Sequence, residues 1–269
     1  SYSNPNLQQI PARHGILGPL IRSIFIPEKD CEWGIFDYSQ QEPRLVVHYA
    51  SLRHFTGAGK FVDSYQEDET TDFHTMVSEM ADIPRKQAKT INLGLFYGMG
   101  KGKLMSQLGV NLETASELLA SYNERVPFVK QLMNDTMNKA GKKGYLSTLE
   151  GRRCRFDQWE PTNEWGQKSL PLAEAQQQYG EHMIKRAWTY KALNRLIQGS
   201  AADQTKKAML ELDKEGYLAH IQVHDELDFS VASDADKAKI KDIMENCVEL
   251  SVPSKVDVEC GDNWGDAGD

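Results

Sequence analysis

The sequence predicts an α+β fold, in which a small, mainly antiparallel sheet is interrupted by a helical insertion. Three observations predict it. An apolar run at residues 33–36 ends at Asp37 and is typical of a buried strand. Residues 217–231 alternate in polarity on both sides of a tip at His224, Asp225 and Glu226, as a hairpin does. Between these strands the sequence is mostly helical in pattern.

The first half of the chain predicts three helices after the strand. They cover residues 40–54, then a segment from the N-cap Asp72 through Met80, then a segment from Asp82 to Gly98. Pro84 falls in the first turn of the third helix, where proline is tolerated. The glycine- and acid-rich stretch 56–71 predicts a loop.

The second half predicts two more helical regions and two more strand regions. Residues 112–140 form one or two helices broken at Pro127, and residues 144–156 form a hairpin that turns at Glu150-Gly151. Residues 157–178 are expected to be irregular. The remaining expectations are a long helix over 180–215, the hairpin, a helix over 234–250 and a strand over 255–260.

The composition is that of a soluble globular protein, with 40% hydrophobic and 26% charged residues. The net charge of −8, taken alone, argues against a nucleic-acid-binding protein. Basic residues nevertheless cluster at 85–89 and 142–155, and a phosphate-binding surface needs only local positive charge. The plainer interpretation of such clusters is a solvated helix face.

The four cysteines form no C-x-x-C pair, so neither a zinc site nor a disulfide framework is predicted. Reduced thiols in a cytoplasmic compartment are the simplest interpretation. The sequence contains no stretch that approaches the length of a membrane span and opens with no signal peptide, so no membrane partner is expected.

Asp37 and Asp225 both end or join predicted strands. If those strands are neighbours, the two carboxylates meet at one edge of the sheet. Carboxylates in that position suit a pair of magnesium ions, which prefer hard oxygen ligands and promote in-line phosphoryl transfer. The alternative is structural, with Asp37 as a helix cap and Asp225 as a turn residue.

The helix after Pro84 carries a second candidate set. Arg85, Lys89, Leu93 and Tyr97 recur every four residues and drift by only about 40° per step, so they share one broad face. The two cations suit a triphosphate and the aromatic ring suits a base. A surface helix with an apolar stripe is the alternative.

A third set combines two amides one turn apart, Asn194 and Gln198, with the small residues 199–202 that follow them. The amides suit hydrogen bonds to bases or sugars, whereas the small residues equally suit close helix packing.

These sets lie within strings that resemble the motifs of family A, DNA-polymerase-I-type DNA polymerases. Residues 37–44 (DYSQQEPR) resemble motif A, usually written DYSQIELR. Residues 85–98 resemble motif B (R-x-x-x-K-x-x-x-F/Y-G-x-x-Y-G), and residues 222–226 (QVHDE) resemble motif C. Residues 4–11, 72–75 and 148–153 match further family strings, so the resemblance covers essentially the whole chain.

The resemblance implies the palm of a right-handed polymerase with an inserted helical fingers subdomain. Residues 1–48 would be the first part of the palm with motif A, 49–182 the fingers with motif B, and 183–269 the second part of the palm with motif C. The family's thumb and 3′–5′ exonuclease are not found, so the chain is expected to be a fragment or one half of a split polymerase. A separate thumb or exonuclease polypeptide is an expected partner.

The implied reaction is template-directed transfer of a nucleotidyl group from a dNTP to a primer 3′-hydroxyl, with release of pyrophosphate. Two Mg²⁺ ions, for which Mn²⁺ can substitute, are the implied cofactors. Asp37, Asp225 and the backbone carbonyl of Tyr38 would bind the metals, and Glu226 would be an accessory carboxylate.

The resemblance also implies partners for the nucleotide and for the primer–template DNA. Arg85, Lys89 and His74 would hold the triphosphate, and Lys89 would protonate the leaving pyrophosphate. Glu42 would be the steric gate that excludes a ribose 2′-hydroxyl, while Leu93 and Tyr97 would shape the nascent base pair. The implied DNA contacts are Arg152, Asn194, Gln198 and His224.

Several residues depart from the family pattern. Leu93 stands where Phe or Tyr is usual, Tyr190 where an Arg is frequent, and Gln41 and Pro43 where motif A is apolar. The short stretch between His74 and Arg85 and the string at 191–194 resemble bacteriophage members, which implies the cytoplasm of a bacterial host.

Two other function classes remain open at this point. One is a non-catalytic DNA-binding fragment that needs another chain for activity. The other is a single-subunit RNA polymerase, which shares the architecture. Glu42 argues against it, because the motif A of that family lacks this gate.

Overall fold

A computed structural model describes residues 10, 15–99, 101–163 and 166–268. The chain divides into two compact units. The sheet unit comprises the residues up to Arg44 together with Ala201 onward, and the helical unit comprises Leu45–Ser200.

Eleven α-helices and nine strands are found in the described part of the chain. The helices are α1 (Leu17–Arg22), α2 (Gln41–Ser51), α3 (Ala58–Glu67), α4 (Phe73–Ala81), α5 (Arg85–Phe96), α6 (Lys101–Leu108), α7 (Leu112–Arg125), α8 (Pro127–Lys143), α9 (Leu172–Tyr179), α10 (Ala192–Lys214) and α11 (Asp234–Asn246). The strands are β1 (Glu32–Tyr38), β2 (Tyr145–Ser147), β3 (Arg153–Arg155), β4 (Gln158–Pro161), β5 (Leu170–Pro171), β6 (Ile184–Arg186), β7 (Ile221–Val223), β8 (Glu226–Val231) and β9 (Val256–Gly261).

The sheet unit is built on a four-stranded antiparallel sheet with the strand order β7-β8-β1-β9. One face carries Phe36, Leu227 and Phe229, which pack against buried side chains of α10 and α11 such as Leu212 and Met244. Each fully buried side chain of this size contributes roughly 1.5–3 kcal/mol. The predicted α+β class, with a mainly antiparallel sheet, is confirmed.

The opposite face of the sheet has a smaller cover, formed by Trp33, Ile35, Ile221 and Trp264. The rings of Trp33 and Trp264 are stacked with centroids 6.4 Å apart. Because side chains alternate across a strand, this face also carries the side chains of every second residue of β8, beginning at Glu226.

The predicted hairpin at 217–231 is present but shorter than expected. β7 begins at Ile221, and Glu226 belongs to β8, so the turn consists of His224 and Asp225 alone. His224 has a φ of 56°, in the left-handed region that two-residue hairpin turns require.

The helical unit packs around an aromatic cluster of Phe61, Phe73, Phe96 and Phe128. Ring centroids within it lie 5.0–6.4 Å apart, distances at which aromatic rings attract one another. Asp72 caps α4 as predicted, since its side chain accepts a 2.6 Å hydrogen bond from the Thr75 backbone N–H.

Three predicted elements were wrong. The expected loop 56–71 contains α3, because Phe61 and Tyr65, one turn apart, are both fully buried and their packing outweighs the loop-forming composition. The expected irregular region 157–178 contains β4, β5 and α9. The expected helix over 180–215 begins only at Ala192.

The late start of α10 has a backbone cause. Gly180 and Trp188 have φ values of 89° and 57°, which no α-helix accommodates. Between them β6 pairs with β4 and supplies the hydrogen bonds that a helix would otherwise make.

No helix in the described ranges is long and apolar enough to cross a bilayer. All four cysteines are free thiols and are partly exposed.

Candidate active site

The sheet brings the predicted carboxylates together. Asp37 in β1 is paired directly with Glu226 in β8, and Asp225 precedes Glu226 at the hairpin turn. Directly opposed residues of an antiparallel pair have Cα atoms about 4.5–5.5 Å apart. Asp37, Asp225 and Glu226 therefore share one edge of the sheet.

These carboxylates disfavour one another's ionisation. Partial burial, followed by the charges of Asp225, Glu226, Asp257 and Glu259, raises the pKa of Asp37 to about 7, although the residue as a whole is exposed. Burial also raises the pKa values of Asp225 and Glu226. A divalent cation would relieve this repulsion, because it favours the charged form of each group.

The chemistry of the donor set fits magnesium, which binds carboxylate oxygens. Within the described residues no group of three or more His, Cys, Asp or Glu side chains is already arranged around a point that could hold a metal.

Asp228 is an ionisable residue of this face that sequence reasoning missed. It is fully buried, two positions from Glu226 on the same side of β8. Burial and the neighbouring Glu226 raise the pKa of Asp228 to about 9. The sequence indicated the side of the strand on which Asp228 lies, and nothing more about it. Leu227, Phe229 and Val231 alternate along one face of β8, so Asp228 must lie on the other face.

Neither carboxyl oxygen of Asp228 has a hydrogen-bond donor when both acids are ionised. A proton on Asp228 creates a hydrogen bond to Glu226. Two buried carboxyl groups that share a proton are far less costly than two buried charges.

We expect this pair to make the metal-free chain less stable as pH rises. The unfolded Asp228 releases its proton near pH 3.8 and the folded one near pH 9, so between these values the folded state binds more protons and stability falls with increasing pH. Asp228→Asn should remove this component, on the order of 4 kcal/mol between pH 5 and pH 8, because one proton of difference is worth about 1.4 kcal/mol per pH unit. Urea unfolding in EDTA at both pH values measures it, and equal pH slopes for the two proteins would contradict it.

Glu42 lies in the first turn of α2 and is half-buried. Its neighbours fix the backbone that carries it. Gln41 donates to the Thr205 hydroxyl at 3.3 Å, and the buried Arg44 donates to the carbonyls of Ser39 and Pro253 at 2.9 and 2.6 Å. The polar Gln41, unusual for motif A, is thus used for hydrogen bonds to α10.

Tyr38 faces the core, where its hydroxyl donates to the Met244 carbonyl at 2.7 Å. Its side chain is therefore committed to packing, and any metal contact falls to its backbone. His224 is exposed at the hairpin turn.

In the helical unit, α5 exposes Arg85, Lys89 and Tyr97 and buries Asn92 and Phe96. Leu93 is half-buried between these faces. Three of the four residues in the four-residue spacing are thus exposed, with Tyr97 at the C-cap that follows α5.

Arg85 is engaged by the cap of α4. Its guanidinium donates to the Asp72 carboxylate at 2.8 and 3.1 Å and to Thr75 Oγ1 at 3.1 Å. Partial burial of Asp72 opposes ionisation, but the hydrogen bonds from Arg85 and Thr75 lower its pKa to about 2. A half-exposed ion pair of this kind stabilises by only about 0–1 kcal/mol, so a phosphate can replace Asp72 at Arg85 at little cost.

His74 is buried beside α5, and its Nδ1 lies 2.9 Å from Asn92 Nδ2. Burial is the largest cause that lowers the pKa of His74, and together with the positive charges of Lys89 and Arg85 it outweighs the opposing charge of Asp72 and brings the pKa to about 4. The imidazole is therefore neutral at physiological pH.

Arg152, Asn194 and Gln198 belong to the helical unit, and Asn194 and Gln198 lie one turn apart on α10. Arg152 donates to the Gly199 carbonyl at 2.8 Å. A Cβ at Gly199 would lie 2.8 Å from Thr148 Cγ2, so this small residue does serve close packing against the β2–β3 hairpin.

The fold and the paired carboxylates are those expected of a polymerase palm, and a family model identifies the class of protein. The profile of the family described as DNA polymerase family A matches residues 1–266, and the chain belongs to this family.

Individual proteins of this family are similar to the chain over nearly its whole length. The chain is 39% identical to a DNA-directed DNA polymerase of Pseudomonas phage M6, with 98% of the chain and 43% of the relative aligned. It is 34% identical to DNA polymerase I of Bacillus subtilis strain 168, with 99% of the chain and 29% of the relative aligned. The chain therefore spans less than half the length of these relatives.

A solved structure supports the same assignment. It is described as the POL domain of Pol1 from M. smegmatis in complex with DNA primer-template and dNTP. The two share 29% sequence identity and superpose with a TM-score of 0.78 over 99% of this chain and 46% of the other.

Proposed function

We propose that the chain carries out template-directed DNA synthesis, with the sheet unit as palm and the helical unit as fingers. The observation that carries the proposal is the direct pairing of Asp37 with Glu226, next to Asp225. The bounds expected from the family, palm 1–48 and 183–269 with fingers 49–182, differ from those of the two units, which change over after Arg44 and after Ser200.

Asp37 and Asp225 would hold two Mg²⁺ ions, or Mn²⁺ in their place, with the Tyr38 carbonyl as a further ligand. The bound ions would stabilise the attacking and leaving oxygens of the phosphoryl transfer. Glu226 would add negative charge at the same edge as an accessory carboxylate, directly opposite Asp37.

The helical unit would hold the nucleotide. Arg85 and Lys89 supply charge to the triphosphate from the first turns of α5, and Lys89 is the proton donor for the leaving pyrophosphate. His74 adds a neutral hydrogen-bond donor. Leu93 and Tyr97 would contact the nascent base pair, and Glu42 would exclude a 2′-hydroxyl.

Primer–template DNA would be contacted by Arg152, Asn194, Gln198 and His224. Arg152 suits a phosphate, whereas the two amides on α10 suit base edges or sugars. Such contacts position the duplex without requiring a positive net charge.

Primer extension tests the proposal. The purified chain is incubated with a primed template, dNTPs and Mg²⁺, and we expect products whose sequence follows the template. Binding of primed DNA without extension, followed by extension when a thumb-containing polypeptide is added, would instead support a non-catalytic fragment. Incorporation of rNTPs as efficiently as dNTPs would support an RNA polymerase.

A further inference from the structure

A buried chain of hydrogen bonds ends at the imidazole of His74. The Tyr122 hydroxyl on α7 donates to Asn92 Oδ1 on α5 at 2.5 Å. Asn92 Nδ2 lies 2.9 Å from Nδ1 of His74 on α4. Tyr122 and Asn92 are fully buried and His74 is 6% exposed, so water does not compete for these groups.

The donors and acceptors along this series of hydrogen bonds are fixed. The phenol uses its one proton toward the Asn92 carbonyl oxygen, which can only accept. The Asn92 amide nitrogen can only donate, so His74 Nδ1 must accept. A neutral imidazole that accepts at Nδ1 carries its proton on Nε2.

The charged form of His74 is excluded by the same contact. An imidazolium has N–H on both nitrogens, and its Nδ1–H would meet the N–H of Asn92 with no acceptor between them. The direction of the pKa shift agrees, since burial and the nearby Lys89 and Arg85 all favour the neutral ring.

We propose that Asn92 and Tyr122 are positioning residues that hold His74 in the Nε2–H tautomer, so that it serves the triphosphate as a neutral hydrogen-bond donor. The triphosphate part rests on the proposed function. The tautomer itself is a property of the free chain. The alternative is that Tyr122 and Asn92 merely satisfy each other's hydrogen bonds inside the helical unit.

The tautomer of His74 matters because a phosphate oxygen accepts hydrogen bonds and therefore needs a donor at Nε2. An Nε2 lone pair would repel the triphosphate, whereas Nε2–H would bind it. Fixing the tautomer in advance removes the need to select it when nucleotide binds, which is the benefit of preorganisation.

The first measurement needs no substitution and no catalysis. Long-range ¹H–¹⁵N correlation spectra of the full chain, labelled at histidine nitrogens, report which ring nitrogen carries a proton, and His74→Gln assigns the signal. We expect a neutral His74 ring with its proton on Nε2 at pH 7. A proton on Nδ1, or a charged ring, would overturn the proposal.

The second measurement uses variants. Asn92→Asp replaces the donor at Nδ1 by an acceptor, so the proton should move to Nδ1. Tyr122→Phe removes the group that orients the Asn92 amide, so both tautomers should be populated. The matched control is Tyr49→Phe, which also loses one buried hydroxyl and its 2.7 Å hydrogen bond, to Ser200, and should leave the His74 spectrum unchanged.

The same spectra, recorded during titration with dATP and Mg²⁺, give the apparent Kd. We expect it to rise about tenfold in Asn92→Asp, the factor that corresponds to the loss of ~1.4 kcal/mol from one hydrogen bond to a charged group. An unchanged Kd despite a moved proton would overturn the role toward the triphosphate. An unchanged His74 tautomer in both Asn92→Asp and Tyr122→Phe would overturn the positioning role of Asn92 and Tyr122. Neither of these measurements depends on primer extension.

Discussion

Asp225→Ala should abolish primer extension, with the single-turnover rate of nucleotide incorporation falling at least ~10³-fold, or ~4 kcal/mol in activation free energy. The carboxylate lies at the hairpin turn beside Glu226 and the paired Asp37, where it would hold both cations. Under the proposed function, its loss removes one of the two aspartates that would hold the cations. Rapid-quench measurement of a single incorporation gives the rate.

The substitution should leave folding intact, because Asp225 is a partly exposed turn residue whose own charge is disfavoured by burial. The matched control is Asp213→Ala, an exposed acid of α10 in the same unit, which changes the net charge equally and should extend primers at the normal rate. Normal extension by folded Asp225→Ala would refute the metal role.

Glu42→Ala should admit ribonucleotides, with the preference for dNTP over rNTP falling about a hundredfold, near the upper limit for steric discrimination by a pocket. Glu42 has a defined position because Gln41 and Arg44, on either side of it in α2, are anchored by hydrogen bonds. Steady-state kcat/KM for matched dATP and ATP measures the preference.

Glu113→Ala is the control for Glu42→Ala. It removes a glutamate from the first turn of another helix, α7, where the side chain is exposed. We expect its sugar preference to match that of the unsubstituted chain. An unaltered preference in Glu42→Ala would show that another group excludes the 2′-hydroxyl.

Much of the fold could be predicted from local patterns. The strand that contains Asp37, the cap at Asp72, the helix break at Pro127 and the turn at Glu150-Gly151 are all found where periodicity and residue chemistry indicate. The errors arose where packing outweighed composition, as in α3, or where left-handed residues interrupted a helical pattern, as at Gly180 and Trp188.

The sequence by itself determined which residue types stand where chemistry needs them: acids at strand ends, cations every four residues on α5, and amides one turn apart on α10. Only the tertiary structure paired Asp37 with Glu226, buried Asp228 behind them and joined Tyr122 through Asn92 to His74. The physical reason is that local periodicity is set by neighbouring residues. Desolvation and hydrogen-bond direction instead depend on which distant segments exclude water together.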